Sequence, residues 1–135
     1  MFQLSKKVEY ALIALRHMAS GGSGRIYTTK EISDRNFLSY ELLAKVMQKL
    51  ARKGFIASYQ GVHGGYILAH DAGKIKIAEV IRAIEEKRSV TIIQCEASGP
   101  DDCSISHSCT IKNPLVKLQS NINRVFEELT LMEMF

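Results

Sequence analysis

The chain lacks tryptophan altogether, has only two prolines and three cysteines, and nowhere runs apolar for the roughly 20 residues a membrane-spanning helix needs. No bilayer-crossing helix is therefore expected. Three is an odd number of thiols, which argues against a disulfide framework. There is no C-x-x-C pair, no Ser/His/Asp pattern and no phosphate-binding loop, so an enzyme such as a small thiol oxidoreductase, or a ferredoxin-like electron carrier, finds no support. Repeats and low-complexity tracts are also missing. What remains is an ordinary globular composition, 46% hydrophobic and 24% charged over 135 residues. That length suits one domain, or one domain with a modest appendage. The stretch MFQLSKKVEYALIALRHMAS carries charges among its apolar residues and no small-residue cleavage site follows it. It reads as an amphipathic helix and not a signal peptide, so the expected compartment is the cytoplasm, where thiols stay reduced.

Charge is distributed unevenly. Residues 1–80 hold 12 Lys or Arg against 6 Asp or Glu, a net of +6, whereas residues 81–135 hold 6 against 8, a net of −2. A basic amino-terminal part points to a polyanion such as nucleic acid. A surface that merely happens to be basic is the plainer alternative.

The order of elements sharpens that choice. Ser5 can cap a helix to about Ala19, with Val8, Ala11, Leu12, Leu15 and Met18 at helical spacing. Glycines in GGSG end it. Thr28-x-x-Glu31 has the form of a capping box and opens a short helix, TKEISDR. NFLS makes a turn, and Ser39 can cap a third helix, YELLAKVMQKLARK, closed by Gly54. Two helices joined by a short turn, the second longer and more basic, form a helix-turn-helix pattern. FIASYQ and GGYILA then read as two strands joined by GVHGG, a hairpin, and a helix-turn-helix followed by such a hairpin is a winged helix. Ile77 to Glu86 makes another short helix. Gly99-Pro100 lies in a loop, and Pro114 suits the first turn of a last helix. There Leu115, Leu118, Ile122, Val125, Leu129 and Met132 alternate in steps of three and four, a seam suited to a homodimer or to the chain's own core.

The expected fold is mainly α with a small β-hairpin. Residues 1–80 form a winged helix-turn-helix domain, and residues 81–135 a cofactor loop (92–110) and a long dimerisation helix (111–134). On the third helix Leu43, Val46, Met47 and Leu50 face inward, which turns Tyr40, Glu41, Ala44, Lys45, Gln48 and Lys49 outward. The amino-terminal end of such a helix meets base edges. Gln48 can pair with adenine, Lys45 donate to guanine and Glu41 accept from cytosine. Lys49, Arg52 and Lys53, further along, suit phosphate. Ser39 stands at the start of this helix. Thr28, Thr29 and Lys30 offer amides and hydroxyls to another phosphate, and Gln60, Gly61 and His63 sit at a wing tip that can approach a minor groove. Any one of these alone is as readily a solvated surface residue; the set carries the reading.

All three cysteines lie within CEASGPDDCSISHSC, residues 95–109, at C-x7-C-x5-C. Zinc knuckles use tighter pairs. Thiolates on a loop in a reducing compartment suit an iron–sulfur cluster, which takes four protein ligands as a rule. Cys95, Cys103 and Cys109 supply three. The fourth is His107 in the same loop, or a residue brought by folding or dimerisation. Buried structural thiols fit poorly, because Asp101, Asp102, Ser104, Ser106 and Ser108 make the loop polar.

LSKKVEYAL, LLAKVMQKLARKGFI, GVHGGYILA, the cysteine triplet and a long terminal helix together resemble the IscR/NsrR family of bacterial transcription regulators, over essentially the whole chain. The resemblance implies a homodimer on a palindromic operator. It also implies a cluster, 2Fe–2S or 4Fe–4S, held near the amino-terminal helix of the partner, whose state sets DNA affinity. Two features depart from the pattern: the gap from Cys95 to Cys103 is long, and Lys112 stands where one branch has a histidine ligand. Another branch uses an acidic residue of the first helix, which matches Glu9 here. The resemblance thus implies Glu9 as fourth ligand, with His107 as runner-up. A cluster-free regulator using its cysteines as a thiol or zinc switch is the alternative, and an enzyme is not expected.

Overall fold

The computed structural model describes residues 3–22, 24–86, 105 and 108–135. Helix α1 (Lys6–Ser20) starts where Ser5 accepts from the Val8 amide, and it buries Val8, Ala11, Leu12, Ala14, Leu15 and Met18. Every third or fourth residue is apolar, so one face is dry and the other carries Lys6, Glu9 and Arg16. Helix α2 (Thr29–Asn36) is capped by the Thr28 hydroxyl, which accepts from the Glu31 amide at 3.1 Å. The reciprocal half of the expected capping box is replaced. The Glu31 carboxylate pairs instead with Arg25 Nη2 at 2.6 Å.

Phe37 ends α2 in the left-handed region, at φ 55 and ψ 42. That conformation costs a residue bearing a Cβ roughly 1–2 kcal/mol. Helix α3 (Tyr40–Arg52) follows and buries Leu43, Val46, Met47 and Leu50 against α1. Ser39 holds the N-cap position, but its side chain makes no capping bond. Its amide is taken instead by the Tyr10 hydroxyl of α1 at 3.1 Å, a tertiary contact that ties the turn to the first helix. Gly54, at φ +84, lets the chain reverse out of α3.

Strands β1 (Ile56–Tyr59) and β2 (Gly65–Leu68) pair antiparallel, with Ile56 opposite Leu68 and Tyr59 opposite Gly65. Tyr27 bridges to Tyr66, exchanging amide–carbonyl bonds at 2.8 and 2.7 Å, and so anchors the hairpin to the segment before α2. A Cβ at Gly65 would lie 2.5 Å from the Tyr27 carbonyl oxygen, so this close approach requires glycine. A 3-10 turn (Ala72–Lys74) leads into α4 (Ile77–Glu85), whose Ile77, Val80, Ile81 and Ile84 complete the core with α1 and α3. The division drawn at residue 80 therefore runs through the middle of a core helix. Helix α4 packs as part of the winged-helix body.

The terminal helix differs from the expected single rod over 111–134. Helix α5 (Lys112–Glu128) stops at Leu129, and a separate turn of helix, α6 (Leu131–Met134), follows. Two signals make the break. Thr130 and Glu133 form a full capping box that starts a new helix, with bonds of 2.9 and 3.2 Å. The main chain there also pairs with the segment before α4, Ile77 donating to Leu129 at 3.0 Å and Leu131 donating to Ile75 at 2.9 Å. Leu131 is thereby fully buried in the winged-helix core. Arg82 of α4 pairs with Glu127 of α5, which sets the carboxyl-terminal helix against the body. No helix among the described residues is long and apolar enough to cross a membrane.

Candidate nucleic-acid interface and the cysteine segment

Burying Leu43, Val46, Met47 and Leu50 leaves the opposite side of α3 to solvent. Tyr40 is 56% exposed, Glu41, Lys45 and Gln48 are exposed, and Ala44 lies between them half-buried. Ser39 is exposed at the head of the helix, and Arg52 and Lys53 at its foot. On α2, Thr28 and Lys30 are exposed and Thr29 is half-buried; the Thr28 hydroxyl is already engaged by the Glu31 amide. Gln60, Gly61 and His63 stand exposed on the hairpin turn, with Gly61 at φ +117.

Lys49 departs from the sequence reading. Its ammonium donates to the Ile84 carbonyl at 2.8 Å and pairs with Glu86 at 3.2 Å, and its side chain is only 20% exposed. It caps the carboxyl end of α4, where unpaired carbonyls and the helix dipole favour a cation. A lysine so occupied is not free to neutralise phosphate, and it is withdrawn from the interface. The charge and hydrogen bond of Lys49 hold the Glu86 carboxyl below the usual carboxylate range. A carboxyl with a lowered pKa stabilises the fold at neutral pH and loses that contribution as pH falls through its folded value. For the bond from the Lys49 ammonium to the Ile84 carbonyl, Lys49→Ala is expected to cost about 1.5–3 kcal/mol, the range for a hydrogen bond with a charged group. Lys45→Ala should leave stability unchanged, and urea unfolding of the two variants checks the contrast. The difference between wild type and Glu86→Gln should be present at pH 7 and disappear only as pH falls below the ordinary carboxylate range, through the lowered folded value.

Two residues that no sequence argument singled out join the exposed face. Phe37, in the turn between α2 and α3, is 96% exposed, and Val62, at the wing tip, is 97% exposed. The available signal was a large apolar residue inside each turn run, NFLS and GVHGG, at positions with no helix or strand face to bury it.

Of the residues expected to hold a cofactor, Cys95, Cys103 and His107 lie outside the described residues. Cys109 is a free, half-buried thiol three residues before α5. Glu9 lies in the first turn of α1, beside the buried Val8 but directed to solvent, with its side chain 48% exposed and Lys6 Nζ 3.9 Å away. Among the described residues no three His, Cys, Asp or Glu side chains gather as a metal site would require.

A helix-turn-helix with its second helix exposed along one face, followed by a two-stranded wing, defines a winged-helix transcription regulator. The family model for Rrf2, described as an iron-dependent transcriptional regulator, matches residues 4–135, and the chain belongs to that family. Its members are DNA-binding, dimeric regulators and not enzymes. Among solved structures it is similar to CymR (YrzC), the global cysteine regulator of B. subtilis, at 21% identity and a TM-score of 0.76, covering 99% of this chain and 96% of that one. It is similar also to T. potens IscR, at 25% identity and a TM-score of 0.67, covering 98% and 85%. Staphylococcus aureus CymR matches at 25% identity and a TM-score of 0.70, covering 96% and 95%.

Proposed function

We propose that the chain acts as a homodimer on a palindromic operator and that an iron–sulfur cluster held by Cys95, Cys103, Cys109 and Glu9 controls its affinity for that operator. The observation that carries the DNA reading is the exposed row Tyr40, Glu41, Lys45 and Gln48 on α3, opposite a fully buried face. Flanking it are the exposed wing tip and the basic amino-terminal part. For two-fold assembly the support is on α5 and its N-cap residue, Ile111. Ile111, Leu118 and Val125 recur one heptad apart and remain 55%, 47% and 59% exposed. A stripe of that spacing suits the same stripe on a second copy. Leu129 belongs to the other half of the expected seam and packs on the core.

For the cofactor, three thiolates and one carboxylate are a chemically sufficient donor set for an iron–sulfur cluster. Glu9 lies on the solvent side of α1, where a carboxylate is free to serve a second copy of the chain. Cys109 carries a free thiol at the head of the helix bearing the heptad stripe. When bound, the cluster would supply a centre sensitive to oxidant, nitric oxide or iron loss. A hard carboxylate oxygen beside soft thiolates makes Glu9 the labile ligand. Half-sites lie about one helical turn apart, roughly 34–36 Å, so a small rotation between two winged helices costs contacts in both grooves. Protein prepared without oxygen, loaded and stripped of iron, tests the reading directly: the two forms should hold a selected operator with different affinities, and equal affinities refute cluster control.

A thiol or zinc switch at the same cysteines is the second reading. Its support is the likeness to CymR, named for cysteine and also solved from Staphylococcus aureus in an oxidised form. Colourless, iron-free protein with full DNA affinity when prepared anaerobically would favour it. Under either reading, Lys45→Ala and Gln48→Ala are expected to blur preference at particular base pairs, by about 1–3 kcal/mol each. Arg52→Ala should instead weaken all duplexes alike and lower the salt dependence. Binding titrations on single-base operator variants separate the two behaviours.

A further inference from the structure

Phe37 has a conformation and an environment that the isolated fold gives it no reason to have. Its backbone is left-handed, at φ 55 and ψ 42, where glycine or asparagine is favoured, and the residue is 96% exposed. The neighbouring Leu38 packs partly into the core, and the turn is already tied down by the bond from the Ser39 amide to Tyr10. Neither burial nor backbone comfort accounts for an aromatic ring here. Strain and exposure kept together in a turn point to a contact made outside the chain.

The turn also says what that contact is. It leads directly into α3, and Phe37 stands three residues before Tyr40, the first residue of that helix, which is itself 56% exposed. The amino-terminal end of a recognition helix is the part that reaches base edges. A phenyl ring has no donor or acceptor, so it neither neutralises phosphate nor pairs with a polar base edge. The apolar feature that a major groove offers is the thymine 5-methyl group. We propose that Phe37 is a specificity-determining residue that packs its ring on a thymine methyl at the edge of each half-site. The inference rests on the DNA-binding reading above. A protein partner is the competing occupant; the net +6 of residues 1–80 favours the polyanion.

The test begins with a duplex selected by the wild-type protein from a random-sequence pool. Each thymine is then replaced singly by deoxyuridine, which removes the methyl group and nothing else, and affinity is read by fluorescence anisotropy. Wild type should lose about fourfold in affinity at one thymine of each half-site, the factor expected for one buried methyl group. Phe37→Asn, which suits the left-handed backbone, should bind the parent duplex at least fourfold more weakly and ignore that same replacement. It should also unfold at the same temperature as wild type or higher. A flat deoxyuridine scan with wild type overturns the proposal, as does a scan in which both proteins respond alike. A lower unfolding temperature for Phe37→Asn also overturns it, because the ring would then be structural. Failure of wild type to select any duplex would sink the DNA-binding reading itself and this inference with it. A sequence-selective wild type with a flat scan sinks the thymine contact alone.

Discussion

Cys109→Ser, purified without oxygen, is expected to emerge colourless, with iron and acid-labile sulfide near zero, while the wild type is coloured. A serine hydroxyl is a hard, weakly acidic ligand, and two thiolates do not hold a cluster that takes four ligands. Glu9→Ala is expected to retain colour with an altered visible spectrum and to lose iron faster in air, because only the labile ligand is gone. Attribution is clean for Glu9. Its carboxylate is about half exposed and meets only Lys6, at 3.9 Å among the described residues, a surface pair worth at most about 1 kcal/mol. The stripped forms of wild type and Glu9→Ala should therefore melt together. A Glu9→Ala spectrum identical to wild type would remove Glu9 and favour His107.

Leu131→Ala is expected to destabilise the fold by about 2–5 kcal/mol and to lower the thermal midpoint by roughly 10 °C. Leu131 is fully buried, yet its helix, α6, is a single turn of four residues whose Met132 and Met134 are exposed. Its cost should exceed that of Met132→Ala, since Met132 is 62% exposed and surface truncations usually fall within about 0.5 kcal/mol. Differential scanning calorimetry of the two variants makes the comparison. Equal midpoints would mean that the α6 strap contributes nothing to the core.

Much of this architecture was legible in the residues. The spacing of Val8, Leu12 and Leu15, and of Leu43, Val46, Met47 and Leu50, names the buried faces of α1 and α3 without any coordinates. Gly54 and the glycines around the wing mark the reversals, because left-handed or crowded backbone admits few other residues. The capping box at Thr130 and Glu133 was legible too, but the a/d spacing running through it masked the break. Local capping and a paired main chain won over periodicity.

Lys49 marks where such reading stops. Lys45 and Lys49 lie about 40° apart on a helical wheel, so periodicity assigns them to one face. What separates them is the carboxyl end of α4, thirty-five residues onward, which covers Lys49 and leaves Lys45 in water. Phe37 is similar. Its turn could be read from NFLS, but its exposure depends on Leu38 taking the core position beside it. Repeating short-range patterns of apolar, capping and glycine residues were enough to determine which helices and strands form, because those choices are settled within a few residues of chain. Which polar groups on them stay available was decided only when distant elements met. Packing consumes some surface and spares the rest, and no local pattern records the partner that arrives.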